Sequence, residues 1–384
     1  AVVALFCAGS IALVRFDKSE RDANLEVREL SMNGVYAFFY AFTHNELDYA
    51  RYYPNLPQDE AWSLTRQMLK QDGVKFIRDN GIERRVTAKQ TLKPLNVILI
   101  SVESLSAEYL GVFGNHDGLT PELDALAAKG WLFTNLYATG TRTVRGLEAL
   151  SVGAPPIPGN SIVRRPNNEN LESLGEELGE FGWSAHWIYG GYGLFDNMNA
   201  YFAGNGYKVT DRRDIDRDRI PVHHETVWGV ADEDLYSLAM AEFDADYANS
   251  KKFFAHIMTT SNHRPFTFPE GRVDRPQKTH EGGVQYTDWA IGDFIRRARD
   301  KPWFKDTLFV ITADHTASAA GKTDLPVERY HIPMIWYAPG HVEPGIMDRL
   351  MSQIDVPTTL LGWLGIDHES KFFGYNMLTL EPGR

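Results

Sequence analysis

This sequence predicts an open α/β architecture: a central, mostly parallel sheet with helices on both faces. Three observations predict it. Apolar, β-branched runs alternate with helical patterns from Leu95 to the C-terminus, the arrangement of strands joined by crossover helices. Two of these runs, Asn96-Val-Ile-Leu-Ile-Ser-Val and Leu308-Phe-Val-Ile-Thr, stop abruptly at Glu103 and at Asp314-His315. Ligands and chemistry collect at the carboxyl ends of strands in such sheets. Finally, 384 residues that are 43% hydrophobic and 23% charged suit one large domain, or one plus a smaller appendage.

In chain order, residues 1–14 are small and apolar but too few to span a bilayer, which takes about 20 residues. With no basic residue ahead of them they make a poor signal peptide, and they are expected to be the remnant of a transmembrane helix. Residues 15–90 are expected to be a helical juxtamembrane and linker region. In it, the aromatic stretch 30–42 would lie on a membrane surface or on the main domain, and 58–80 shows helical spacing. Residues 91–384 form the predicted catalytic domain. Its strands are expected at 95–102, 131–137, 184–189, 252–259, 307–312 and 332–337. Its helices are expected at 105–112, 121–129, 170–180, 232–247, 283–299 and 355–364. Thr120-Pro121 reads as an N-cap followed by proline at the first helical position. The glycine-rich loop 190–199 lacks the G-x-G-x-x-G spacing of a dinucleotide site.

The net charge of −12 disfavours wholesale nucleic-acid binding. A single cysteine, Cys7, rules out both an internal disulfide framework and Cys-based zinc sites. Oxygen and imidazole ligands remain, and Glu103, Asp314 and His315 offer them at one sheet edge, a donor set suited to Mn²⁺, Mg²⁺ or Zn²⁺. Thr143, in Thr139-Gly-Thr-Arg-Thr, leads into a helix-like stretch at 146–151. It is either a nucleophile activated by a metal ion or an ordinary N-cap. Arg142 and Arg145 flank it, as phosphate clamps or as surface charges. His263, just past the strand at 252–259, is at the same edge and is expected either to protonate a leaving alkoxide or to hold a non-bridging oxygen. His331 precedes the strand at 332–337, so strand direction alone puts it at the opposite edge unless its loop folds across.

These segments, with Leu119-Thr-Pro-Glu-Leu-Asp, Ala138-Thr-Gly-Thr-Arg-Thr-Val-Arg-Gly146, Trp228-Gly-Val-Ala-Asp-Glu-Asp-Leu235, Asn262-His-Arg-Pro-Phe266 and Ala313-Asp-His315, resemble the lipoteichoic acid synthase-like phosphoglycerol transferases. Those are membrane-anchored enzymes of the alkaline phosphatase/sulfatase superfamily. The resemblance runs from about residue 31 to the end and is nearest the Gram-negative branch that includes the transferase decorating periplasmic glucans. It implies an alkaline phosphatase/sulfatase-like sandwich and one divalent ion, Mn²⁺ as first choice, held by Glu103, Thr143, Asp314 and His315. It further implies Thr143 as the residue that takes the phospho-group, with Thr141 as runner-up, and His263 as a substrate-site histidine. The donor would be an anionic, phosphatidylglycerol-like phospholipid and the acceptor a glycan or another hydroxyl compound. The enzyme would sit in the inner membrane with its catalytic domain in the periplasm. The Gram-positive synthases place His, Trp and Arg around the head group where this chain carries residues 187–198. Here Tyr189, Asp196 and Asn197 would take over those contacts, with Arg142, Arg145 and His331 as further substrate-binding candidates. The alternatives are a phosphodiesterase or phosphatase on the same site, or a phosphoethanolamine transferase.

Overall fold

The structure is a computed structural model that describes residues 27, 34–43, 47, 49–317 and 325–381. The chain divides into two compact units, residues 1–55 and 56–384. The expected membrane-helix remnant at 1–14 lies outside the described residues. In the first unit, α1 (Gly34–Thr43) carries no charged residue in its end turns and exposes Val35, Phe38, Phe39 and Phe42; α2 (Tyr49–Tyr52) is a single turn.

In the second unit the elements run α3 (Gln58–Leu69), β1 (Val74–Phe76), β2 (Arg84–Val86), β3 (Asn96–Val102), α4 (Pro121–Ala127), β4 (Trp131–Tyr137), α5 (Thr143–Val152), α6 (Leu174–Glu180), β5 (Trp183–Tyr189), α7 (Met198–Ala203), β6 (Lys208–Asp211) and α8 (Asp232–Ala248). They continue with β7 (Lys252–Met258), α9 (His280–Ala298), β8 (Thr307–Ala313), β9 (His331–Tyr337), β10 (Gly345–Met347), β11 (Met351–Ser352), α10 (Asp355–Leu364) and β12 (His368–Ser370).

The nine-stranded sheet has the order β10-β4-β9-β8-β3-β7-β5-β6, with β11 paired to β4. Every pairing is parallel except those of β9, which runs antiparallel to both β8 and β4. The central strands β3 and β8 bury all seven of their residues, as continuous apolar strands covered on both faces do. Helices α4, α8 and α9 pack together as one cover, and α5, α6 and α10 as the other. The core is aromatic: Trp187 stacks on Phe202 at 3.8 Å, and Phe243 on Phe253 at 4.5 Å.

The predicted sheet strands all appear, within one residue at each end. Three expectations need correction. The helix expected over 105–112 is two 3₁₀ turns, Ala107–Tyr109 and Gly111–Phe113, because the Asp124 carboxylate draws off the amides of Gly111 (3.2 Å) and Val112 (2.9 Å). Thr120 makes no capping bond; Asp288 of α9 receives the Glu122 and Leu123 amides at 3.0 and 2.8 Å and caps α4 from outside. Nor does the helical linker extend to residue 90. β1 and β2 pair antiparallel and join β12 in a three-stranded sheet, and residues 56–90 fall in the same compact unit as the main sheet.

Buried Arg84 secures this second sheet, donating to the carbonyls of Ser370 at 3.3 Å and Phe372 at 2.5 Å. Removing it strands two buried acceptors, each worth about 1–3 kcal/mol. Arg84→Ala is therefore expected to lower unfolding free energy by about 2–4 kcal/mol in urea titration; a loss below about 0.5 kcal/mol would show that the ribbon is peripheral after all.

Candidate active site

Glu103 and Asp314 leave the ends of two neighbouring strands, β3 and β8, so the register Val102↔Ala313 delivers them side by side. Ser104 turns the chain with φ +52, a left-handed conformation that costs an L residue of order 1 kcal/mol. That turn lets the Ser104 amide donate to Asp314 Oδ1 at 2.8 Å and its hydroxyl to Glu103 Oε1 at 2.6 Å. The His315 amide donates to the same Oδ1 at 2.7 Å. Asp314 Oδ2 is buried and has no hydrogen-bond partner among the described residues.

His315 is fixed in a ligand-ready tautomer. Its Nδ1 lies 2.8 Å from the Thr316 carbonyl, which can only accept, so Nδ1 carries the proton. The Nε2 lone pair then faces Glu103 Oε1 at 3.7 Å and Asp314 Oδ2 at 3.5 Å. One donor atom from each of Glu103, Asp314 and His315 lies within 4.8 Å of the others. Thr143 opens α5 and donates from Oγ1 to Glu103 Oε2 at 3.2 Å, so its hydroxyl serves this cluster and does not cap its helix. The helix approaches closely because residue 146 is glycine; a Cβ there would stand 2.1 Å from the Asp314 carbonyl oxygen.

An orphaned buried carboxylate oxygen, a second carboxylate and a fixed imidazole lone pair fit one divalent cation. Without the cation, burial and then the Glu103 charge push the Asp314 carboxyl up to about 7. Burial works against protonation of His315, but the Asp314 and Glu103 charges outweigh it and leave the imidazole raised. Tyr189, at the end of β5, is raised first by burial and then by the Glu103 charge, so its phenol stays protonated.

The remaining predicted residues divide. Arg142 is exposed at the start of α5, and its charge is felt by His315. Arg145 is not a phosphate clamp: its guanidinium is spent on Glu148 (2.7 Å) and on the carbonyls of Ile157 (2.9 Å) and Gly159 (2.5 Å), holding the loop after α5. Asn197 is likewise committed, donating to the Val163 carbonyl at 3.1 Å, while Asp196 faces Arg164 at 3.4 Å. His331 is at the same edge as the cluster, not the opposite one, because β9 is antiparallel and starts where β8 ends. His263 packs on Trp228 at 4.0 Å, and Trp228 meets Phe195 at 5.6 Å. Asn262 anchors this loop to the cluster by donating to the Glu103 carbonyl at 2.9 Å. The roles of Ser104, Trp228 and Asn262 were not assigned from the sequence, although each lies in or beside a recognised motif.

The chain matches the sulfatase family over residues 95–366. It is 26% identical over 240 residues to phosphoglycerol transferase I of Salmonella choleraesuis, covering 58% of this chain but only 31% of that relative. Among solved structures, a protein of the alkaline phosphatase superfamily from Vibrio parahaemolyticus superposes with a TM-score of 0.78 at 32% identity, covering 85% of this chain and 80% of the other. The lipoteichoic acid synthase LtaP from Listeria monocytogenes superposes at 0.69 with 21% identity, covering 83% and 81%.

The Asp314 shift sets a sign for pH effects. Its folded pKa lies above its unfolded one, so in metal-free protein the ionised carboxylate destabilises the fold above about pH 7, and that cost is relieved as pH falls. A bound cation removes the cost at high pH. Mn²⁺ is therefore expected to raise Tm more at pH 8 than at pH 6, and Asp314→Asn to abolish the difference; equal shifts at both pH values would contradict the cluster as the cation site.

Proposed function

Because the chain belongs to the sulfatase family, we propose that it is a divalent-metal-dependent phosphotransferase. It would move a phosphoglycerol-type head group from an anionic, phosphatidylglycerol-like phospholipid to a glycan hydroxyl through a phosphothreonine at Thr143. The observation that carries this reading is the Thr143 hydroxyl held 3.2 Å from Glu103 Oε2, beside Asp314 and His315. Similarity to phosphoglycerol transferase I supports the choice of head group.

Glu103, Asp314, His315 and Thr143 would hold the ion, Mn²⁺ first, with Mg²⁺ or Zn²⁺ as alternatives. Bound there, a divalent cation supplies Lewis acidity to the phosphoryl oxygens and lowers the Thr143 hydroxyl pKa. Glu103 Oε2 accepts the Thr143 hydroxyl's hydrogen bond and would take its proton as Oγ1 attacks. The N-terminus of the ten-residue helix α5 favours negative charge at that oxygen. Arg142 attracts the phosphodiester. Thr143 Oγ forms its bond to phosphorus as the bond to the diacylglycerol oxygen breaks. His263 Nδ1 donates to the Arg264 carbonyl at 2.9 Å, leaving Nε2 to deliver a proton to the departing oxygen when the ring is charged. An acceptor hydroxyl then forms its bond to phosphorus as the Thr143 Oγ–P bond breaks, giving its proton to the now neutral His263 while Thr143 Oγ takes back the proton from Glu103; water in its place would make the same site a phosphodiesterase. A sulfatase that matures Cys or Ser to formylglycine is excluded by threonine at this position.

A periplasmic domain on an inner-membrane anchor is part of the proposal. Among the described residues no helix is long and apolar enough to cross a membrane.

Thr143→Ala is expected to cut diacylglycerol release from phosphatidylglycerol vesicles by at least about 10³-fold while leaving the circular dichroism unchanged. Mass spectrometry of the wild-type protein should find a glycerol phosphate adduct on Thr143; a phosphoethanolamine adduct would reassign the donor, and wild-type turnover in Thr143→Ala would end the nucleophile assignment.

A further inference from the structure

A cavity of about 220 Å³ is walled by Ser106, Glu108, Phe113, Glu328, Arg329 and His331. Two hydrogen bonds tie it to the ligand-bearing strand end. The Ala317 amide donates to Ser106 Oγ at 3.1 Å, and the Thr316 hydroxyl donates to the Arg329 carbonyl at 2.5 Å. The cavity thus adjoins Asp314-His315, and the transfer chemistry described above does not use it.

One wall is aromatic. Phe113 meets His331 edge-on at 5.0 Å, and His331 stacks on Tyr137 at 5.2 Å. His331 Nε2 lies 2.8 Å from the Thr134 carbonyl, which can only accept, so Nε2 carries the proton and Nδ1 is an acceptor. Ser106 is only 4% exposed, and its hydroxyl hydrogen has no acceptor among the described residues. Glu108, Glu328 and Arg329 are exposed, and none is in an ion pair among the described residues.

Charge decides which ligand this suits. Among the described residues, two uncommitted carboxylates against one guanidinium leave the rim net negative, which disfavours a phosphate head group. A neutral ring of hydroxyls fits better: its C–H face packs on the aromatic wall, and its hydroxyls donate to carboxylates and His331 Nδ1 and accept from Arg329 and Ser106. At this volume, below the ~300–1,000 Å³ of drug-sized pockets, the cavity takes one sugar ring and leaves the rest of a saccharide in solvent.

We infer that this cavity is the acceptor subsite, binding one ring of a neutral saccharide next to the phosphothreonine. Its role as acceptor subsite rests on the transferase reading; saccharide binding does not. The test is calorimetric titration of a neutral gluco-oligosaccharide into the protein, with glycerol phosphate as competitor. Saccharide binding, a Kd at least tenfold higher in Glu108→Ala/Glu328→Ala with unchanged Tm, and no competition by glycerol phosphate are the expected results. No binding by the wild type, equal binding by both proteins, or displacement by glycerol phosphate would overturn the assignment. In parallel, phosphatidylglycerol vesicles with the oligosaccharide present report on the transferase reading. If the wild type releases no diacylglycerol, that reading fails while the titration still decides whether the cavity binds saccharide. If transfer occurs and the double variant keeps the wild-type KM for saccharide, the subsite lies elsewhere and the transferase reading stands.

Discussion

The arrangement depends on one electrostatic constraint: two carboxylates are buried beside each other at the ends of adjacent strands. Asp314 is fully buried, and two backbone amides satisfy only one of its oxygens. Ionised carboxylates in such a place are costly unless a positive charge meets them. His315 offers a single positive charge, and only when its ring is protonated at both nitrogens; as a neutral ring it keeps Nδ1–H on Thr316 and turns a lone pair toward the carboxylates. A cation would resolve the conflict, and Thr143 Oγ1, 3.2 Å from Glu103 Oε2, stands beside the same carboxylates.

The backbone around the cluster is built to hold this conflict in place. Ser104 adopts a left-handed turn, residue 146 must lack a side chain, and Gln353 ties the carbonyls of Ala313 and Asp314, both at 2.8 Å. Asn262 fastens the His263 loop to the Glu103 carbonyl, so the proposed general acid and the ligand loop are positioned together. On the other flank, Thr316 and Ala317 connect the cluster to the proposed acceptor cavity. The Glu103–Asp314–His315 cluster is thus tied on one flank to the loop of His263, which packs on Trp228, and on the other to the acidic cavity.

The long buried strands were legible because continuous β-branched runs have few alternatives, and their abrupt ends at Glu103 and Asp314-His315 marked the sheet edge. The short strands β1, β2, β6, β10, β11 and β12 were not, since two to four residues carry no distinctive periodicity. His331 was misplaced because periodicity reports that a strand exists but not its direction. Arg145 and Asn197 looked available for substrate because their partners, the carbonyls of Ile157, Gly159 and Val163, are backbone groups brought near only by folding. Asp124 and Asp288 likewise reach across to amides that the local sequence had assigned to other bonds.

The most direct measurement is the crystal structure of Mn²⁺-soaked protein, with the metal located by its anomalous scattering. The account predicts a single strong peak within coordination distance of Glu103, Thr143 Oγ1, Asp314 Oδ2 and His315 Nε2. A peak elsewhere, or one that engages the carboxylates while Thr143 turns away, would contradict it.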